Sequence, residues 1–432
     1  MTQINPYLEL PYHSLLYCLY FSDSAFPQEY LQEAQRFQRL LTAQAMPYST
    51  WNHPSFDNSH TLRVGFVSGD FKNHPVGYFL ENLINALDSS KIELFAYSSQ
   101  DYEDALTARI KPKFHQWTNI TSLDDPLAAE KIHNDGIHIL IDLAGYTAHN
   151  RLSLFAWKPA PVQVSWLGYF ASTGMTFIDY FLADPISVPE QNRAHFTEKV
   201  WYLPKTRLCF TPPSPDIAQE STPLPALSNG FVTFGCFQTI SKMTDPILAL
   251  WTKILRRCPN SQLMIKNHQI KDLISKQDLM TQLKKHHIPL ECIVFEEGSP
   301  REDYLAAYGR VDFILDTFPF TGGTTTCEAL WMGVPTLTLT GNTLLERQGM
   351  SLLSCVGLED WIATNEEDYI NKAVNHAKQL DKLAQLRGQL RPQMRESPLM
   401  DAPLFASDFT HALQEIWQDH MKESHAIDSS QH

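Results

Sequence analysis

The 432-residue chain has no paired cysteines, no long apolar run and no surplus of positive charge. Its seven cysteines, Cys18, Cys209, Cys236, Cys258, Cys292, Cys327 and Cys355, are scattered, odd in number and never spaced C-x-x-C. A disulfide framework or a structural zinc site needs paired, close spacing, so both are excluded, and the cysteines read as small hydrophobes in a reducing compartment. The longest apolar runs, such as Ile137–Leu143, fall far short of the ~20 residues that cross a bilayer. The opening residues, MTQINPYLEL, lack the basic stretch followed by an apolar one that marks a secretory signal. The expectation is a soluble, cytoplasmic protein. Lys and Arg number 34 against 48 Asp and Glu, a net charge of −14. A chain this acidic has no general attraction to phosphate backbones or anionic lipid, which argues against nucleic acid and membrane as partners.

Several chemical motifs are missing too. There is no G-x-G-x-x-G and no G-x-x-x-x-G-K-[ST], which weakens dinucleotide oxidoreductase and P-loop readings. No two Asp residues are spaced D-x-D, and no 34-residue repeat is evident. What is present is ordinary for a folded protein, with 43% hydrophobic and 19% charged residues. The length suggests two or three domains at about 150 residues each.

Along the chain, residues 1–60 read as helical, notably over Gln28–Ala45, and then as linker. From Leu62 short apolar strands alternate with helices: 62–68, 92–97, 137–143, 162–166 and 178–183, with a helix at 126–134 ended by Asp135-Gly136. Such alternation argues an α/β fold of parallel sheets covered on both faces. The first half is expected over 61–205. A run at 206–229, part of a stretch holding Pro204, Pro212, Pro213, Pro215, Pro223 and Pro225, reads as a linker. Alternation resumes over 230–365, with strands at 231–236, 262–266, 292–295, 311–315 and 335–339. Helices are expected at 245–257, 270–285, 301–309 and from Thr324, and 366–432 as helices with a polar tail.

The segment richest in chemistry runs from Asp316 to Pro335. A strand ends at Asp316, the Gly322-Gly323 pair follows, and Thr324, Thr325 and Thr326 open a helix. A helix start offers unpaired N–H donors and the positive end of a dipole, so an anion suits it. Glu328, one turn in, can accept hydrogen bonds from sugar hydroxyls. The plainer alternative is that Thr324 only caps the helix and Gly-Gly only permits the turn.

The run TFPFTGGTTTCEALWMGVPTLTL resembles the signature of the O-linked N-acetylglucosamine transferase family, including its SPINDLY-like and bacterial members. Other segments resemble the family in the same order: LRVGFVSGDFKNHPVGYFL at 62–80, DGIHILIDLAGYT at 135–147, KPAPVQVSWLGY at 158–169, ISKMTDPILALWTKIL at 240–255 and SPREDYLAAYGRVDFILDT at 299–317. The resemblance implies a GT-B fold, two Rossmann-like halves facing a cleft with the nucleotide-sugar held mainly by the second. It also implies an inverting, metal-independent transfer, with no cofactor, of a sugar such as N-acetylglucosamine from a UDP-sugar to Ser or Thr hydroxyls of a protein acceptor.

Particular residues take roles on that basis. His74, in Asn73-His74-Pro75-Val76 after the first strand, is expected at the donor–acceptor centre as base or positioning group. Beside it the Gly145–Thr147 loop is expected to approach from the first half, while His138 reads as a buried strand residue and His149 as a satisfied loop residue. Lys242 matches the diphosphate-binding lysine, although by itself it reads as a solvated residue ahead of a helix. Gln238 is expected near the same phosphate, with Gly322, Gly323, Thr324 and Thr325 at the diphosphate and Glu328 at the ribose. Arg301 and Tyr304 open a helix where the family often has a basic residue and then a His that packs on the base. Tyr304 departs from that pattern, which leaves the nucleotide open, and it reads equally well as helix packing. Gly323 replaces a His found in animal members. The family's helical-repeat array is absent, and residues 12–45 resemble the helices that connect to it. Acceptors would then be recruited by a separate repeat-bearing partner or by the cleft itself. Alternatives of the same scaffold are an Asn-directed glucosyltransferase using UDP-glucose, an O-fucosyltransferase using GDP-fucose, and a metabolic epimerase or small-molecule glycosyltransferase. A non-catalytic nucleotide-sugar-binding module is the alternative of a different class.

Overall fold

A computed structural model describes residues 9–20, 27–52, 61–214 and 222–430. They gather into two units, residues 1–211 with 401–432, and residues 212–400.

In the first unit α1 (Glu9–Tyr20) and α2 (Pro27–Thr42) precede β1 (Leu62–Ser68), α3 (Pro75–Ala86), β2 (Ile92–Ser98), α4 (Ala105–Ile110), β3 (Gln116–Asn119) and α5 (Asp125–Asn134). Then come β4 (Ile139–Asp142), α6 (Leu152–Phe155), β5 (Val162–Ser165), β6 (Tyr180–Ala183) and β7 (Lys199–Tyr202). The strands form one parallel sheet in the order β3-β2-β1-β4-β5-β6-β7. Central strands β4 and β5 are buried at every position. β4 reads as a nearly continuous apolar run, whereas in β5 Gln163 and Ser165 alternate with the valines, and Gln163 is satisfied by Phe155 O and Phe177 O.

In the second unit α7 (Pro225–Asn229) leads into β8 (Thr233–Cys236), α8 (Asp245–Arg257), β9 (Gln262–Asn267), α9 (Leu273–Lys285), β10 (Ile293–Glu297), α10 (Arg301–Ala306) and β11 (Phe313–Leu315). The unit continues through α11 (Thr324–Trp331), β12 (Thr336–Leu339), α12 (Leu344–Cys355), β13 (Ile362–Ala363), α13 (Glu366–Lys378) and α14 (Leu380–Arg395). Its parallel sheet runs β10-β9-β8-β11-β12-β13. α8 shows how local sequence sets an element. Pro246 starts it, Asp245 and the Arg256–Arg257 pair match the dipole at its two ends, and Ile247, Leu248, Trp251 and Ile254 line its buried face.

In both sheets the strand order reverses direction once, between β1 and β4 and between β8 and β11. Loops leaving those strand ends diverge, and the gap between them is where doubly wound sheets take ligands. His74 lies in the loop after β1 and Gly145 in the loop after β4; Gln238 follows β8 and Asp316 follows β11.

The expected boundaries shift in three places. The stretch expected to be a linker over 206–229 begins inside the first unit, where Thr206, Arg207, Leu208, Cys209 and Phe210 are buried. Trp166 Nε1 donates to Arg207 O at 2.9 Å and Thr211 N to Tyr78 O at 2.7 Å. Its other end forms α7, and its residues 215–221 lie outside the described residues. The expected C-terminal segment 366–432 is divided: α13 and α14 stay with the second unit, while α15 (Ala402–Ser430) belongs to the first and packs on α3. Strands β3 and β7 were not anticipated because they lie at the edges of their sheet and are half exposed, so they carry no apolar run.

The loop after β4 is fixed by the buried Asp142 carboxylate, which accepts from Ala144 N at 3.0 Å and from Gly145 N at 2.8 Å. Gly145 has φ +53, and a Cβ there would lie 2.3 Å from Tyr169 Cβ. Gly145→Ala should therefore lower the unfolding free energy by about 3 kcal/mol, combining the left-handed backbone penalty with overpacking. Denaturant titration of the variant against wild type measures this, and an unchanged midpoint would contradict the reading.

Candidate functional site

The second unit assembles its site from the two loops at the reversal of strand order. The first carries Gln238 and Lys242 between β8 and α8; the second runs from Asp316 through Gly322 and Gly323 into α11. Thr317 Oγ1 donates to Phe320 O at 2.6 Å, Thr321 Oγ1 donates to Leu345 O at 2.9 Å and accepts from Gly349 N at 3.0 Å, so the second loop is tied to itself and to α12.

The N-cap of α11 is Gly323, and no side chain caps the first turn. Thr324 is therefore not the cap, and the plainer reading of that residue fails. The orphan N–H groups of the first turn are left for another acceptor. Thr324 and Thr325 are half-buried, and the Thr326 hydroxyl is buried with no hydrogen-bond partner among the described residues. A Cβ on Gly322 would lie 2.4 Å from Thr326 Oγ1 and 2.5 Å from Gln238 Nε2, so only glycine lets the turn close over the helix start. Gly323 is less constrained, its nearest neighbour being the end of the Gln348 side chain at 2.8 Å.

Lys242 points into this cradle. Its Nζ donates to Gln238 Oε1 at 3.0 Å and sits 3.4 Å from the centroid of the Phe320 ring. Burial pulls its pKa down to about 8, against the attraction of Asp316, which holds the proton on. Gln238, 3% exposed, donates from Nε2 to Thr325 Oγ1 at 2.7 Å and to Asp316 Oδ1 at 3.3 Å. Lysine, amide, glycine turn and threonines are thus in one connected network suited to an anion.

One turn further, Glu328 is buried and paired with Arg301. Burial raises the pKa of Glu328, while Arg301 and a hydrogen bond from Tyr304 work the other way. The Tyr304 ring meets those of Phe237 and Tyr308 edge-on, both at 5.8 Å, and its hydroxyl is 3.2 Å from that of Tyr308. Tyr308 in turn donates to Thr325 O at 3.2 Å. Tyr304 is thus packed among aromatic rings, and through Tyr308 it ties α10 to the first turn of α11.

In the first unit His74 is the N-cap of α3. Its Nδ1 lies 3.4 Å from Val76 N and 3.5 Å from Asp70 Oδ2. Burial lowers its pKa, Asp70 opposing and Lys72 adding to the effect, so the ring is neutral near pH 7. Nδ1 faces both the Val76 amide and the Asp70 carboxylate, and the tautomer with Nδ1–H toward Asp70 leaves Nε2 unprotonated. His138 is fully buried, accepts from Arg63 N at 3.0 Å and meets Trp417 edge-on at 4.8 Å, a core residue as expected. His149 is an exposed loop residue whose carbonyl accepts from Ser99 Oγ at 2.7 Å. Among the described residues no group of three or more His, Cys, Asp or Glu is arranged to hold a metal ion. Sequence reasoning gave no role to Asp316, Phe320 or Tyr308. A charged residue ending an apolar strand just before a Gly-Gly turn was the signal available for Asp316.

The model for the family described as Glycosyl transferase family 41 matches residues 7–210 and 218–409. The Arabidopsis thaliana protein described as probable UDP-N-acetylglucosamine–peptide N-acetylglucosaminyltransferase SPINDLY is 36% identical over 397 residues, 90% of this chain and 42% of the relative. Its counterpart in Oryza sativa is 34% identical over 421 residues, 96% of this chain and 45% of the relative. The chain therefore spans less than half the length of these curated relatives. Among solved structures, a variant of the Thermobaculum terrenum O-GlcNAc transferase superposes with a TM-score of 0.91 at 33% identity, covering 97% of this chain and 79% of that one. Anabaena HepE bound to UDP and glucose shares the fold alone, with a TM-score of 0.53 at 11% identity, over 82% of this chain and 100% of that one. The two doubly wound parallel-sheet units are of GT-B type.

A diphosphate at the α11 start needs Lys242 protonated. Affinity for UDP should hold at neutral pH and fall as pH rises through about 8, the value to which burial brings Lys242. Calorimetric titration across that range tests it; affinity independent of pH would remove Lys242 from the anion.

Proposed function

The chain belongs to glycosyl transferase family 41, and we propose that it is a protein glycosyltransferase moving N-acetylglucosamine from UDP-N-acetylglucosamine to Ser or Thr hydroxyls, with inversion and without a metal. The observation that carries this reading is the convergence of Lys242, Gln238, Gly322 and Thr325 on the uncapped start of α11, in a chain with this family's motifs. The SPINDLY relatives and the Thermobaculum protein are named for UDP-N-acetylglucosamine or O-GlcNAc transfer, which favours that donor.

In the reaction the acceptor oxygen bonds to the anomeric carbon as the bond from that carbon to the β-phosphate oxygen breaks on the opposite face. Negative charge grows on the departing UDP. Lys242, the Thr324 and Thr325 hydroxyls and the dipole of α11 meet it, so no metal is required. His74 is assigned the acceptor proton, which Nε2 takes in the tautomer that keeps Nδ1–H on Asp70. Arg301, Tyr304 and Glu328 are assigned to the nucleoside, with Glu328 toward the ribose. A repeat-bearing partner and direct recognition are both proposed routes by which protein acceptors arrive. No helix among the described residues is long and apolar enough to cross a membrane, and the reading places the work in the cytoplasm.

Incubation with UDP-N-acetylglucosamine, UDP-glucose and GDP-fucose, followed by mass spectrometry of modified proteins, tests donor and acceptor together; labelled Asn or no labelled protein would overturn the assignment. Chelator should leave turnover unchanged. Lys242→Ala should lower turnover by about a hundredfold to a thousandfold, the usual size for removing a stabiliser of developing charge. His74→Asn keeps a good helix cap and so should unfold within about 1 kcal/mol of wild type. It has no proton acceptor, so turnover should drop by about a hundredfold or more while UDP affinity stays the same. Wild-type turnover in His74→Asn would exclude it as base.

A further inference from the structure

We propose that Asp316 is the positioning residue of the diphosphate cradle: it fixes the Gly322 turn and the Gln238 amide so that Lys242 and the Thr325 hydroxyl face the anion. The proposal rests on the donor-binding reading above.

Asp316 is 1% exposed, yet its carboxylate is fully employed. Oδ1 accepts from Gly322 N at 2.8 Å, Thr317 N at 3.0 Å and Gln238 Nε2 at 3.3 Å, and Oδ2 accepts from Thr338 Oγ1 at 2.9 Å. The carbonyl oxygen of the same residue accepts from Tyr369 at 2.9 Å. The buried carboxylate therefore joins the loop after β8, the loop before α11 and β12, and the backbone carbonyl adds α13. Space around it is tight: a Cβ on Gly349 would lie 3.1 Å from Oδ2 and 2.4 Å from Thr338 Oγ1.

The chemistry of the partners sets the direction of each hydrogen bond. An ammonium only donates and an ionised carboxylate only accepts. Gln238 lies between the two, so its Oε1 must face Lys242 and its Nε2 must face Asp316. The second Nε2 proton then goes to Thr325 Oγ1, which accepts and keeps its own proton to donate elsewhere. That proton is available to a phosphate oxygen at the start of α11. Without the carboxylate, the Gln238 amide can turn over. Thr325 would then donate to Oε1, and Lys242 would face an amide NH₂ that it cannot bond. The Gly322 amide would also lose its anchor, just where a side chain would strike Thr326 and Gln238.

The charged and titratable groups acting on this pair are few. Lys242 is the cation acting on Asp316; Cys236 and Asp316 act on Lys242. Burial pushes the Cys236 thiol up to about 12 and the Tyr369 hydroxyl well above its ordinary range, so both are neutral. Burial also raises Asp316 to about 6, while Thr338, Gly322, Lys242 and Thr317 pull the other way. The carboxylate is thus charged at neutral pH and lost as pH falls through about 6.

The test is calorimetric titration of the full chain with UDP and GDP over a range of pH, for wild type, Asp316→Asn and Thr338→Val. Comparison with wild type cancels the titration of the nucleotide itself. Asp316→Asn should weaken the bound nucleotide by about tenfold or more, the size expected when a charged hydrogen-bond partner is lost. Its alkaline limb should move to lower pH, because Lys242 no longer has an anion to hold its proton. Thr338→Val removes one donor from the carboxylate and should move the acid limb to higher pH with affinity at pH 8 retained. A merely structural role would lower stability without moving either limb. Wild-type affinity and limbs in both variants would overturn the proposal while leaving the donor-binding reading intact. No binding of either nucleotide by the wild type would overturn that reading and this proposal with it. Should Asp316→Asn fail to fold, the acid limb of Thr338→Val decides: a shift supports the proposal and its absence overturns it.

Discussion

A parallel sheet wound in both directions must leave a gap where the strand order reverses, because the loops on either side turn to opposite faces. Both units of this chain contain that gap, and the residues to which chemical roles are assigned stand at it. In the second unit it is bounded by Gln238 after β8 and by Asp316 after β11. The loops there have no neighbouring strand to satisfy them, so their polar groups satisfy one another. The network of Lys242, Gln238, Asp316, Thr325 and the Gly322 amide follows from that geometry.

The same gap in the first unit is treated differently. Asp142, at the end of β4, holds the Gly145 turn in the manner in which Asp316 holds the Gly322 turn, with a buried carboxylate accepting from two loop amides. Burial raises both carboxylates to about 6. The difference is the surroundings: Asp316 is linked to a lysine through one glutamine, whereas Asp142 bonds to Ser165 and lies near another acid, Glu198. The lysine suits the second-unit loop to an anion. In the first-unit loop Tyr146 packs against Phe37 and His13 of the N-terminal helices.

The net charge of −14 sharpens the point. A phosphate-bearing ligand meets an unfavourable overall field, so its binding has to come from short-range groups. An ammonium in a partly dry setting and a helix start without a cap act over a few ångströms, where bulk charge and salt matter least. Arg301 adds a further positive charge but is already paired with Glu328, so it contributes shape at least as much as charge.

The sequence by itself determined the alternation of strands and helices, two halves of like construction, the family motifs and the identity of most residues in the cradle. It could do so because buried parallel strands are continuous apolar runs and because Gly-Gly followed by threonines is a local signal. It could not show that Gly323 rather than Thr324 holds the N-cap position of α11, that residues 206–210 are core rather than linker, or that α15 returns to the first unit. Nor could it reveal that Asp316 organises the site, since a carboxylate at the end of a strand looks like any loop residue until its partners are known. Those partners, Gln238, Thr338 and Tyr369, lie 78, 22 and 53 residues away. Only folding brings them within hydrogen-bond distance, and burial then makes each of those bonds obligatory.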